Sequence, residues 1–94
     1  MEEEARSFQP RIEALRAQPD PEELARLEKD MLDFFDRVLD TADKARGENK
    51  QRLLALAQRF ERAAEGTELA RTALAEDRTE DYLAALDRLA QCCP

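Results

Sequence analysis

Apolar residues recur every three or four positions along most of this chain, which is the spacing of an amphipathic α-helix. The clearest run is Leu24, Leu27, Met31, Phe34 and Val38. No segment shows the strict alternation of apolar and polar residues that predicts a β-strand. We therefore expect an all-α fold, a small antiparallel helical bundle of four or five helices with one long central helix.

Helix-capping residues divide this pattern into segments. Asp20 suits an N-cap position, Pro21 the first helical position, and Thr79 a further N-cap. Gly47 and Gly66 suit the left-handed residue that ends many helices. A chain of 94 residues is long enough for one domain only. We predict a single helical domain over 1–94, with a frayed segment 1–6 and helices at 7–17, 21–46, 49–65, 68–76 and 79–92.

The helix at 21–46 has two apolar stripes, because the adjacent Phe34 and Phe35 point about 100° apart. Phe34 belongs to the run described above. The second stripe consists of Leu32, Phe35, Leu39 and Ala42. The two stripes together are wider than one helix contact requires. We therefore expect this helix at the centre, between the helix at 49–65 and either the C-terminal segments or a second copy of the chain.

The C-terminal segments supply mostly alanines to face this second stripe. Large side chains opposite small ones leave a groove, and an apolar groove is a docking site for a helix. We predict Leu32, Phe35 and Leu39 as partner-binding residues. The expected partner is another protein or, in a homodimer, a second copy of the chain.

The charge of the chain excludes several classes of partner. The formal net charge is −7, which opposes binding to nucleic acid and to anionic membranes. No apolar run is long enough to span a bilayer, and the acidic start MEEEARSF does not resemble a secretory signal. We expect a cytoplasmic protein with no nucleic-acid or membrane partner.

Catalytic chemistry has few candidates in this sequence. Histidine, the usual general base, is absent, and the glycines are single residues that form no phosphate-binding loop. Cys92 and Cys93 are the only thiols, and Cys93 continues an apolar stripe. We predict a protein that is not an enzyme and has no catalytic, metal or cofactor site.

Four aspartates form a row on the polar face of the 21–46 helix: Asp33, Asp36, Asp40 and Asp43. We expect a solvated surface with helical ion pairs between Asp33 and Arg37 and between Asp40 and Lys44.

These observations predict a small acidic helical interaction module that acts as an adaptor, a chaperone-like protein or a regulatory subunit. One alternative is an acidic inhibitor that mimics nucleic acid or binds a basic partner through the aspartate row. A second alternative is a metal-dependent or thiol-dependent protein.

Overall fold

The computed structural model describes residues 2–92, with side chains for 3–90. It contains five helices, and no strand occurs in this part of the chain, which confirms the predicted all-α fold class. The helices are α1 (Glu2–Arg6), α2 (Phe8–Ala17), α3 (Pro21–Lys44), α4 (Glu48–Ala75) and α5 (Thr79–Cys92).

Four of these helices, α2 to α5, pack as an antiparallel bundle. Helix α4 contacts α3 on one side and α5 on another, while α2 contacts both α3 and α5 and closes the square. The long central helix is therefore α4. The expectation that the C-terminal segments pack on the other side of the helix beginning at Pro21 is wrong, because α5 packs beside α4 and α2 and not beside α3. The alternative, a second copy of the chain on that side, stays a prediction.

Helix α3 begins as the sequence predicts, at an N-cap with a proline after it. The Asp20 carboxylate accepts hydrogen bonds from the backbone N–H groups of Glu22 (3.0 Å) and Glu23 (3.4 Å). The helix ends at Lys44, and Gly47, with a φ of +66°, lies immediately before α4. Gly47 therefore supplies the backbone turn into the next helix and does not cap α3 itself.

The N-terminal segment predicted as frayed forms helix α1. Ala5 is fully buried, and the Glu4 carboxylate pairs with Arg37 of α3 at 2.5 Å. A short interruption at Ser7 separates α1 from α2. Pro10 accounts for it, since proline has no N–H to donate to the carbonyl four residues earlier, that of Arg6.

The predicted helix end at Gly66 is wrong, because α4 continues without interruption to Ala75. The segment 68–76 is the last part of this helix. Gly66 is buried against α5, where an added Cβ would lie 3.2 Å from Leu89 Cγ. The next residue, Thr67, is also buried, and its hydroxyl donates to the carbonyl of Ala64 at 2.6 Å. Gly66 therefore serves a close contact between two helices and does not serve as a cap.

Helix α5 is half as long as α4, with 14 residues against 28. At about 1.5 Å per residue it spans about 21 Å of a helix about 42 Å long. The Gly66–Leu89 contact places α5 beside the second half of α4. The C-terminal part of α3 and the N-terminal part of α4 therefore extend past the end of α5 as an antiparallel hairpin.

None of the described helices is long and apolar enough to cross a membrane.

Candidate functional site

The inner face of the α3–α4 hairpin carries the core. Phe34 of α3, Phe60 of α4 and Phe8 of α2 form an aromatic cluster, with ring centroids 4.6 Å apart for Phe34 and Phe60 and 5.3 to 5.9 Å apart for the pairs with Phe8. All three are buried. The rest of the α3 row on this face is also fully buried: Leu24, Leu27, Met31, Val38 and Ala42. Ala42, predicted in the second stripe, therefore belongs to the core row.

Two contacts fix the register of the hairpin. Phe34 lies against Phe60, and Glu28 pairs with Arg71, whose Nη2 is 3.1 Å from Glu28 Oε2. This contact is an ion pair without a hydrogen bond, and Glu28 Oε2 receives none from any other described group. In this register Leu39 of α3 lies level with the turn of α4 that contains Leu54.

The predicted partner-binding residues lie together on the face of the hairpin that is turned away from α2 and α5. Leu32, Phe35 and Leu39 fall within about 60° of one another on the helical wheel. Leu32 is exposed, at 41%, while Phe35 and Leu39 are half-buried against the core. The structure therefore brings the three side chains together beside α4, and none of the described helices covers them completely.

Leu54 of α4 extends this surface and was not predicted. It is 39% exposed, and its position on α4 lies on the side away from Gly66 and α5. Its sequence signal is the pair Leu53–Leu54, which repeats the arrangement of Phe34 and Phe35 on the facing helix. We call Leu32, Phe35, Leu39 and Leu54 the outer strip.

The opposite side of α3 is held to α2 by ion pairs. Arg11 donates to Asp30 (2.8 Å) and to Glu23 (2.9 Å). Partial burial alone would lower the pKa of Arg11, but hydrogen bonds to Asp30 and Glu23 raise it above its ordinary value. Arg11 thus stays charged and links the two helices.

The aspartate row remains a solvent-exposed surface, as predicted, but without the predicted ion pairs. Asp33, Asp36, Asp40 and Asp43 are all exposed, and none lies within ion-pair distance of a described basic side chain. Arg37, the expected partner of Asp33, instead contacts Glu4. Among the described residues, no group of three or more acidic or thiol side chains is arranged to hold a metal ion.

Tyr82 is a core residue that closes the end of α2. It is buried, and its hydroxyl donates to the carbonyl of Leu15 at 2.7 Å. Burial raises the pKa of Tyr82 above its ordinary value, and the negative charge of Asp20 raises it further. Cys93, which continues an apolar stripe in the sequence, lies outside the described residues, as does the side chain of Cys92.

Comparison of this chain with models of protein families, with characterised protein sequences and with solved structures finds no match. Its function must therefore be argued from its own surfaces.

Proposed function

We propose that this chain is a protein–protein interaction module, an adaptor or regulatory subunit without catalytic activity, and that the outer strip is its docking surface. One observation carries the proposal. The outer strip places four large apolar side chains beside one another along two helices, and Leu32 and Leu54 are exposed while Phe35 and Leu39 are only half-buried.

The spacing of these residues suits a docking surface for a helix. Leu32 and Leu39 are seven residues apart, about 10 Å along α3, with Phe35 between them. A helix laid along the line between α3 and α4 would extend the bundle by ridges-into-grooves packing and remove the exposed leucines from water. Single exposed leucines are ordinary on protein surfaces, whereas an aligned group marks a site of contact.

Site-specific photocrosslinking in the cells that produce this protein tests the proposal. A photoreactive phenylalanine analogue replaces Leu32 in one variant and Leu69 in another. Leu69 is the matched control because it is even more exposed, at 51%, and lies toward the other end of α4, in a groove between α4 and α5. We expect a discrete adduct of higher mass from position 32 only.

A second substitution in the same chain makes this test specific. The adduct from position 32 should disappear when Leu39→Gln is added in the same chain, because a polar side chain then interrupts the outer strip. Adducts of equal yield at both positions, or none at position 32, would contradict the proposal.

A further inference from the structure

We propose that the outer strip binds a basic amphipathic helix of another protein, rather than a second copy of this chain. The inference rests on the proposed function and adds the chemistry of the partner. Its basis is the distribution of charge on the two sides of the outer strip.

Carboxylates line both edges of the outer strip. On α3, Asp36 and Asp43 lie just beyond Leu32 and Leu39 on the helical wheel, toward solvent. On α4, Glu61 and Glu65 lie on the same side as Leu54. All four are exposed, and no described basic side chain forms an ion pair with any of them. The edges therefore present uncompensated negative charge around an apolar centre.

The basic residues of this face lie at the ends of the outer strip, and one of them, Arg71, is already paired with Glu28. Lys29 is one turn from Leu32 toward the start of α3, and Lys50 is one turn from Leu54 toward the start of α4. Between these two levels only acidic residues carry charge on the edges. A partner with leucine-like side chains on one face and Lys or Arg on both flanks would match this arrangement in shape and sign.

A second copy of the chain does not match the charges around the outer strip. Two copies joined face to face about a two-fold axis would bring the acidic edges of one against the acidic edges of the other, and like charges across an interface are unfavourable. Elsewhere on the described chain, Leu69 is the most exposed large apolar residue. It lies in a small groove with Arg78 and Arg88, but it is a single leucine, and Arg78 is already paired with Glu76 and Asp81.

The length of the outer strip fits a short helix. Leu32 at one end and Leu54, level with Leu39, at the other are separated by about 10 to 15 Å, or about two to three helical turns. A peptide of about 14 residues is long enough to cover this distance with a turn to spare.

Binding of designed peptides to the full chain tests the inference. One labelled peptide carries leucines at helical spacing of three and four with lysines on both flanks, and its matched control carries glutamates in place of the lysines. Binding is followed by fluorescence anisotropy. We expect the lysine peptide to bind with a Kd below about 100 µM and at least about tenfold more tightly than the glutamate peptide.

Two double variants then locate the charge effect. Glu61→Gln with Glu65→Gln removes two carboxylates from the edge, and Glu22→Gln with Glu80→Gln removes two distant exposed ones. Each pair changes the formal net charge from −7 to −5, so the pairs differ only in position. We expect the edge variant to bind the lysine peptide about three- to tenfold more weakly, and the distant variant to stay within about twofold of the parent.

A further pair of variants tests the apolar part of the outer strip. Leu32→Gln should weaken binding of the lysine peptide by about tenfold or more, and Leu69→Gln should leave it unchanged. Lysine-peptide binding that is insensitive to Leu32→Gln, or no binding at all, would overturn the inference.

Failure of the inference can be separated from failure of the proposed function. If both peptides bind equally and Leu32→Gln removes both, the outer strip is a docking surface but its partner need not be basic. If the chain alone sediments as a dimer that Leu32→Gln converts to monomer, the occupant is a second copy. Either result would overturn the basic partner and leave the outer strip as an interface.

Discussion

Phe34 and Phe35 are neighbours in the chain, yet they belong to different faces of the α3–α4 hairpin. Phe34 is fully buried in contact with Phe8 and Phe60, and the inner face around it is completed by α2 and α5. Phe35 is half-buried beside Leu32, which is 41% exposed. The side chains of the inner face are thus fully buried by this chain's own helices, whereas those of the outer face are only partly buried.

The charged residues follow the same division. On the inner side, Arg11 joins α2 to two carboxylates of α3, and Arg37 joins α3 to Glu4. On the outer side, Glu28 pairs with Arg71 at one end of the outer strip, whereas Asp36, Asp43, Glu61 and Glu65 form no ion pair with a described basic side chain. The inner face is therefore closed by packing and ion pairs within the described chain, and the outer face is only partly closed.

The largest expected effect comes from the two phenylalanines themselves. Phe34→Ala should lower the free energy of unfolding by about 3 to 5 kcal/mol, because it empties the centre of an aromatic cluster. Phe35→Ala should cost about 1 to 2 kcal/mol, because a half-buried ring loses less apolar area. Urea denaturation followed by circular dichroism measures both. Equal losses would mean that both faces are plain core.

Gly66 tests the part of the inner face that α5 completes. Gly66→Leu should lower the free energy of unfolding by about 1 to 3 kcal/mol, since its side chain would collide with Leu89 and push α5 away from α4. Ala55→Leu is the matched control on an exposed position of the same helix and should change stability by less than about 0.5 kcal/mol. A neutral Gly66→Leu would show that α5 is not closely packed there.

The sequence predicts the helices of the inner face well, because their burial follows a repeat of three and four residues. The row containing Phe34 is buried as its spacing indicates. The role of Gly66 was predicted wrongly because the sequence alone does not distinguish a glycine that ends a helix from a glycine that allows a neighbouring helix to pack closely. Only the position of α5 distinguishes the two cases, and that contact lies 23 residues away in the chain, at Leu89.

The outer strip could be predicted only in part. Its α3 residues were recognised from the width of the apolar arc, which depends on one helix alone. Leu54 was missed because its place beside Leu39 depends on the register between two helices. The ion pair between Arg37 and Glu4 was missed for the same reason, since helical spacing favoured Asp33 as the partner.

Substitution of Tyr82 should have a smaller effect on stability, and that effect should depend on pH. Tyr82→Phe should cost about 1 kcal/mol at neutral pH, because the carbonyl of Leu15 loses a hydrogen bond at the C-terminal end of α2. Above the ordinary tyrosine pKa of 10.0, the unfolded chain loses the phenolic proton while the folded chain, whose pKa is raised, retains it. The folded state then binds more protons, so stability falls as pH rises through this window.

Thermal melts of the parent and of Tyr82→Phe between about pH 8 and about pH 11 measure this difference. The parent should lose stability more steeply than the variant above about pH 10, and the chain's single tyrosine can be titrated directly by its ultraviolet absorbance. Parallel loss in both proteins would assign the alkaline sensitivity to other groups.

The smallest expected effect belongs to the outer strip. Leu32→Gln should change the free energy of unfolding by less than about 0.5 kcal/mol, because a leucine that is 41% exposed loses little buried area and glutamine has a similar helix propensity. The matched change Leu27→Gln, at a fully buried position five residues earlier on α3, should cost at least about 2 kcal/mol, because it removes a core side chain and buries an amide. Urea midpoints of the two variants give the comparison directly. If Leu32→Gln destabilises the chain as much as Leu27→Gln does, the outer strip is needed for folding. A neutral result would mean that any loss of partner binding in Leu32→Gln arises at the surface itself, since the folded population is unchanged.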